Sequence, residues 1–215
     1  METIGAAKEK IVWASRILFE RGLIEVYDGN VSYRFAENYF IITPSHVSKS
    51  SLKPDDLVVV YFNDRWSSVK GFKPSVEYKM HKLIYLKLDD IKAVVHAHNP
   101  LTIALTDIIA NVDEVLLETT AETKYYIPDG ISVIPRLPPG SLELAEAVAH
   151  AKHGVSRRDI VAFTIQDFKK TWNVILYIRN SFIKVVVEIP KNPNPSEIEE
   201  KGISTWVEPL EITCY

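Results

Sequence analysis

The sequence predicts an α/β fold in which helices flank a central mixed sheet. Three observations predict it. Short β-rich runs, VSYRF, YFIIT and DLVVVYF, follow one another between residues 31 and 62 with turn residues between them. Segments whose apolar residues recur at helical spacing precede and follow that cluster. Because strands come grouped rather than in regular alternation with helices, a mixed sheet is favoured over a doubly wound βαβ repeat. No repeat with a period of about 20 to 50 residues divides the chain, so one domain over 1–215 is expected, with a variable tail from about residue 190.

Each element has a local reason. Residues 5–21 place Ile11, Val12, Ala14, Ile17 and Leu18 on one face, with Gly22 just past the end as a stop signal. Asp28-Gly29-Asn30 and Thr43-Pro44-Ser45 punctuate the strand cluster. A helix over 77–86 is expected to open on PSVE, with Ser75 as its N-terminal signal and Tyr78, Met80, Leu83, Ile84 and Tyr85 as its apolar stripe. Residues 93–98, AVVHAH, form a strand; 101–109 form a helix; 131–134 form a strand before the turn Pro138-Pro139-Gly140. Ser141 then caps a helix with Leu144, Ala147, Val148 and Ala151 inward, and 160–165 is a buried strand. Residues 174–187 are apolar enough for helix or strand. The Pro-rich stretch from 190 to 200 runs over the surface, and Trp206, Val207, Leu210 and Ile212 form a docking segment.

Bulk properties exclude several classes of function. Of 215 residues 47% are hydrophobic, enough for one sizeable core. The net charge of -3 and pI near 6.1, with Lys and Arg scattered, argue against nucleic acid as a partner. With Cys214 as the single cysteine, neither an internal disulfide nor a cysteine zinc cage can form. No apolar run approaches the roughly 20 residues of a membrane span, and the first residues lack a signal-peptide pattern, so a cytoplasmic setting without membrane contact is expected.

Strand alternation puts residues i and i+2 on one face, so His96 and His98 project their imidazoles side by side and make half of a metal site. An isolated His-x-His pair more often serves the core or surface. What raises it here is Glu77, an acidic residue at a helix start behind Pro74-Ser75. Free backbone N–H groups and the positive end of the helix dipole suit that place to an anion.

Five blocks then occur in order: Gly29-Asn30-Val31-Ser32 with Arg34; Ile42-Thr43-Pro44-Ser45; Lys73-Pro74-Ser75-Val76-Glu77 with His81; Ala93-Val94-Val95-His96-Ala97-His98; and Pro139-Gly140-Ser141-Leu142-Glu143-Leu144-Ala145. In order and spacing, over roughly residues 5 to 170, they resemble the class II aldolase/adducin family, which includes fuculose-1-phosphate aldolase, rhamnulose-1-phosphate aldolase and ribulose-5-phosphate 4-epimerase. The resemblance implies a three-layer α/β/α domain with a largely antiparallel sheet, assembled as a homotetramer with clefts between subunits. It implies Zn2+ or another divalent metal on His96 and His98, Lewis-acid chemistry on a sugar or sugar phosphate, and Glu77 as the proton carrier. It implies a substrate phosphate held by Gly29, Asn30, Ser45 and Ser75.

The sequence departs from that pattern in three places. The family's third histidine ligand follows a buried strand, and here residues 160–165 are followed by Gln166-Asp167-Phe168. Gln166, Asp167 or His153 could supply the remaining donor, though an amide is a poorer zinc ligand than imidazole. His46 stands where the family has glycine and Val76 where it has a second serine, which weakens a phosphate cradle. No tyrosine can be placed as the acid for the leaving oxygen; Tyr125 and Tyr126 lie in the region with a different spacing. The expectation is therefore a metal-dependent lyase or epimerase acting on a small, phosphorylated sugar. The alternative is a catalytically silent, adducin-like assembly or binding module.

Overall fold

The computed structural model describes residues 3–88, 91–98, 114–115 and 132–151, and the backbone of two further strands, 153–156 and 160–165. The expected helix at 101–109, Tyr125, Tyr126, Gln166, Asp167, the 174–187 segment and the tail with Trp206 lie outside the described residues.

The elements are α1 (Ile4–Glu20), β1 (Asn30–Ala36), β2 (Tyr39–Ile42), a 3-10 turn (Pro54–Asp56), β3 (Val58–Tyr61), β4 (Trp66–Ser68), α2 (Tyr78–Lys87), β5 (Ala93–Ala97), β6 (Ser132–Ile134), α3 (Leu142–Ala151), β7 (His153–Ser156) and β8 (Ile160–Ile165). The strands form one sheet in the order β4-β3-β2-β1-β5-β8-β7-β6. Every pairing is antiparallel except β6 with β7, so the sheet is mixed and largely antiparallel, as expected.

Alternation along the strands divides the core in two. Val31, Ile41, Ala93, Val95 and Ala97 pack with Ile11, Leu18 and the rest of the inner stripe of α1. Phe40, Ile42, Val58, Val60 and Val94 pack on the other face with Met80, Ile84 and Tyr85 of α2 and Leu144, Ala145 and Val148 of α3. Burying each Val, Leu, Ile, Phe or Met among them stabilises the fold by about 1.5–3 kcal/mol, and the two clusters give helix, sheet and helix as three layers.

α1 ends as its sequence requires: Gly22 takes φ 65°, its N–H donates to Phe19 O, and Leu23 N–H donates to Leu18 O. α2 starts later than expected. Its N-cap is Glu77, and Ser75 stands outside, its Oγ accepting the Glu77 N–H at 3.3 Å. At α3 the Ser141 Oγ does accept the Leu144 N–H, at 3.1 Å. Leu144, Ala145, Val148 and Ala149 are its buried residues, while Ala147 and Ala151 are only partly covered. β4 and β7 were not expected, because three residues and the sequence HGVS carry too little β-branched alternation.

Candidate functional site

The antiparallel register of β1 and β5 sets Asn30 opposite His96 and Ser32 opposite Val94. By alternation Asn30, Ser32 and His96 all fall on the α2 face, since Val31, Val95 and Ala97 pack toward α1. A patch of polar side chains is thereby built into an apolar layer, and Asn30, Ser32, His81 and His96 are all buried. Such groups persist only when hydrogen-bonded.

They are. His81 Nε2 lies 2.5 Å from Asn30 Oδ1, and His81 Nδ1 lies 2.6 Å from Ser32 Oγ. Ser32 Oγ is also 2.6 Å from the Tyr85 hydroxyl. His96 Nδ1 approaches the same Asn30 Oδ1 at 3.3 Å. The other nitrogen of His96, Nε2, faces His98 Nε2 at 3.0 Å. His98 continues past the end of β5, held by its N–H donating to Leu23 O, and its Nδ1 lies 3.9 Å from Asp28 Oδ2.

Burial dominates the electrostatics. It lowers the pKa of His81 to about 3. It also takes His96 well below the usual imidazole range, with His98, His81 and Lys49 adding repulsion. Both rings are neutral near pH 7, the state in which an imidazole can ligate a metal. Lys49, absent from the expected site, is buried too. Its Nζ donates to Val47 O at 3.2 Å and Tyr27 O at 3.4 Å, and burial, partly offset by Asp28, lowers its pKa to about 8.

Gly29 backs His96 closely. A Cβ there would stand 2.8 Å from the His96 carbonyl oxygen and 2.4 Å from Ile24 Cγ2, with φ at +64°. On the other side, Ser75 N–H donates to Thr43 O, Ser45 N–H donates to Lys73 O, and Ser45 Oγ donates to Pro74 O at 2.9 Å. These bonds zip the TPS and PSVE segments together around the Pro44–Pro74 bridge. Glu77 is buried, one helical turn before His81 on the same face of α2, and its Oε1 accepts the Gly140 N–H at 3.0 Å.

The structure thus brings Gly29, Asn30, His96 and His98 into one cluster, and Ser45, Ser75 and Glu77 into a second, joined to the first through α2. Ser32 and His81 stand in the sequence only as members of the matching blocks, and Tyr85 only as part of the apolar stripe of α2; their place in the site comes from the structure. The signal that finds them is His81 and Tyr85 four residues apart on the buried stripe of α2, where polar atoms need partners. His153 opens β7 opposite Phe163, which pairs with Val95. That register sets position 153 two strands, about 10 Å, from β5 and level with Val95 rather than His96.

Two converging imidazole nitrogens 3.0 Å apart fit a divalent ion, since the N–N edge of a tetrahedral zinc site is roughly 3.3 Å. Among the described residues no group of three or more His, Cys, Asp and Glu completes such a site.

Comparison with known proteins places the chain in a family. The family described as Class II Aldolase and Adducin N-terminal domain matches residues 9–163. An L-fuculose phosphate aldolase of Methanococcus maripaludis is 35% identical over 134 residues, 62% of this chain and 69% of that protein. A 3-oxo-tetronate 4-phosphate decarboxylase of Haemophilus influenzae is 32% identical over 164 residues, 70% of this chain and 75% of that protein. Among solved structures, the sugar-phosphate aldolase from Thermotoga maritima superposes with a TM-score of 0.75 at 20% identity, covering 87% of this chain and 97% of that one. The chain belongs to the class II aldolase and adducin N-terminal domain family.

Proposed function

We propose that this protein is a divalent-metal-dependent enzyme, a lyase or epimerase that acts on a small phosphorylated sugar or sugar acid. The observation that carries the reading is the 3.0 Å approach of His98 Nε2 to Nε2 of His96, a buried ring that burial keeps neutral. Relatives named for L-fuculose phosphate and 3-oxo-tetronate 4-phosphate support the substrate class, since both names describe short polyhydroxy chains bearing phosphate.

In this reading His96 and His98 hold zinc, with the remaining donors supplied by water and by the chain near Gln166 and Asp167. When bound, the ion supplies Lewis-acid polarisation of carbonyl and hydroxyl oxygens. Glu77 takes up and returns the substrate proton. Support for that role comes from its burial and from the Gly140 N–H that orients its carboxylate. Gly29, Asn30, Ser45 and Ser75 receive the phosphate, with His46 replacing a glycine at the rim. A homotetrameric assembly and a cytoplasmic setting belong to the same reading.

Zinc titration of the purified protein tests it. Wild type should bind zinc, and Gln166→His should raise the affinity by about 10- to 100-fold when the new ring is oriented by a partner. Were His153 the ligand, Gln166→His would change little and His153→Ala would abolish binding. If none of the three proteins binds zinc at millimolar concentration, the enzyme reading falls and the silent-module reading replaces it.

A further inference from the structure

We propose that His81 is a positioning residue for the histidine pair: hydrogen-bonded between Ser32 and Asn30, it sets the Asn30 amide so that its oxygen accepts the Nδ1–H of His96 and the Nε2 lone pair of His96 is presented toward His98. The inference rests on the two-histidine metal site proposed above and deepens it.

The argument is one of donor polarity. A neutral imidazole has one N–H and one lone pair, so fixing one nitrogen fixes the other. Asn30 Oδ1 is a carbonyl oxygen and only accepts, and it lies between His81 Nε2 and His96 Nδ1. Both rings therefore donate to it. That leaves His81 Nδ1 as an acceptor, and the Ser32 hydroxyl 2.6 Å away is its donor. Ser32 Oγ in turn accepts from Tyr85, whose hydroxyl burial keeps protonated well above the usual range. A backbone hydrogen bond from Val94 falls on the same Tyr85 oxygen, which accepts there and donates to Ser32.

Donation thus runs in one direction from Tyr85 through Ser32 and His81 to Asn30, where it meets the Nδ1–H of His96. The opposite setting turns the Asn30 amide nitrogen toward both rings. It would make His96 Nδ1 the acceptor and place a proton on Nε2, where an ion must bind. It would also leave the buried Tyr85 hydroxyl proton without the Ser32 acceptor. In the observed setting the metal-free pair needs only one shared proton, on His98 Nε2. Were His96 and His98 to hold an ion through their Nε2 atoms, His98 would carry its proton on Nδ1, which faces Asp28, and His96 would keep the tautomer it already has.

Imidazole nitrogen shifts and two-bond couplings in metal-free protein labelled with nitrogen-15 at histidine test this without any loaded ion. Wild type should show His81 as the Nε2–H tautomer and His96 as the Nδ1–H tautomer. A proton on His96 Nε2, or on His81 Nδ1, overturns the proposal in wild-type protein, whatever the variants do. His81→Phe, which keeps a flat ring and removes the donor, should give His96 a mixture of tautomers and lower zinc affinity by about 10- to 100-fold. His81→Gln, whose amide can still donate to Asn30, should recover most of that loss. A folded His81→Phe protein with His96 still wholly Nδ1–H also refutes the role. If wild type binds no zinc, the functional reading fails, and the tautomer measurement still decides this inference.

Discussion

Single residues carry the chemistry here, and they differ in how far their types announce it. His96 and His98 are legible from two-residue spacing, because a strand has no choice about where i and i+2 point. Asn30 and Ser32 read as the polar half of an alternating strand, and polar halves normally meet water; here they meet α2 and are buried. Lys49 gave no signal, because its burial depends on a loop path that no local pattern encodes. His46 is legible only as a departure. It is exposed and holds φ 58°, so the left-handed turn persists without glycine. Replacing His46→Gly should relieve that conformation and stabilise the fold by about 0.5–1 kcal/mol in chemical denaturation. A loss of stability would show instead that the imidazole makes contacts worth more than the strain.

Among the elements, the helices and long strands follow from their periodicity, whereas their joins do not. α1 ends at its glycine and β5 spans the AVVHA run, yet α2 begins at Tyr78, with Glu77 at its N-cap accepting the Gly140 N–H and Ser75 outside the helix. That contact joins residues 63 apart in sequence, and no window along the chain contains it. The same holds for the loop before β1, where Gly29 touches the end of β5. Two glycines with nearly equal φ separate strain from packing. Gly22, at +65°, has nothing within 4 Å of an added Cβ, so Gly22→Ala should cost about 1 kcal/mol. Gly29→Ala adds a clash with His96 O and Ile24 and should cost about 2–4 kcal/mol, with loss of zinc binding. Equal effects in urea unfolding would show that loop 23–29 moves aside freely.

For the whole molecule, burying neutral histidines ties stability to pH. The folded pKa of His81 is about 3, below the ordinary 6.5, so between those values the unfolded chain holds a proton that the folded chain does not. The stability that neutral His81 contributes is complete above pH 6.5 and declines as the pH falls toward 3. At pH 5 the loss from His81 is about 2 kcal/mol, 1.5 pH units below the unfolded value. His96, lowered in the same direction, adds to it. His81→Gln should flatten the slope between pH 6.5 and 5, and an unchanged slope would assign it to other groups.

β5 lies between β1 and β8, with α1 over one face and α2 and α3 over the other. The strand bearing His96 is thus the last part of the sheet that local opening can reach. Small metal domains that fold only around their ion have no site until it arrives. Here the histidine pair sits on a strand held by its neighbours in the sheet, so on the metal reading proposed above a chelator should remove the ion and leave the fold intact, which far-ultraviolet circular dichroism before and after chelation checks. On that reading an ion would raise the melting temperature by mass action, as a ligand does, and would exchange on the timescale of ligand substitution rather than of unfolding.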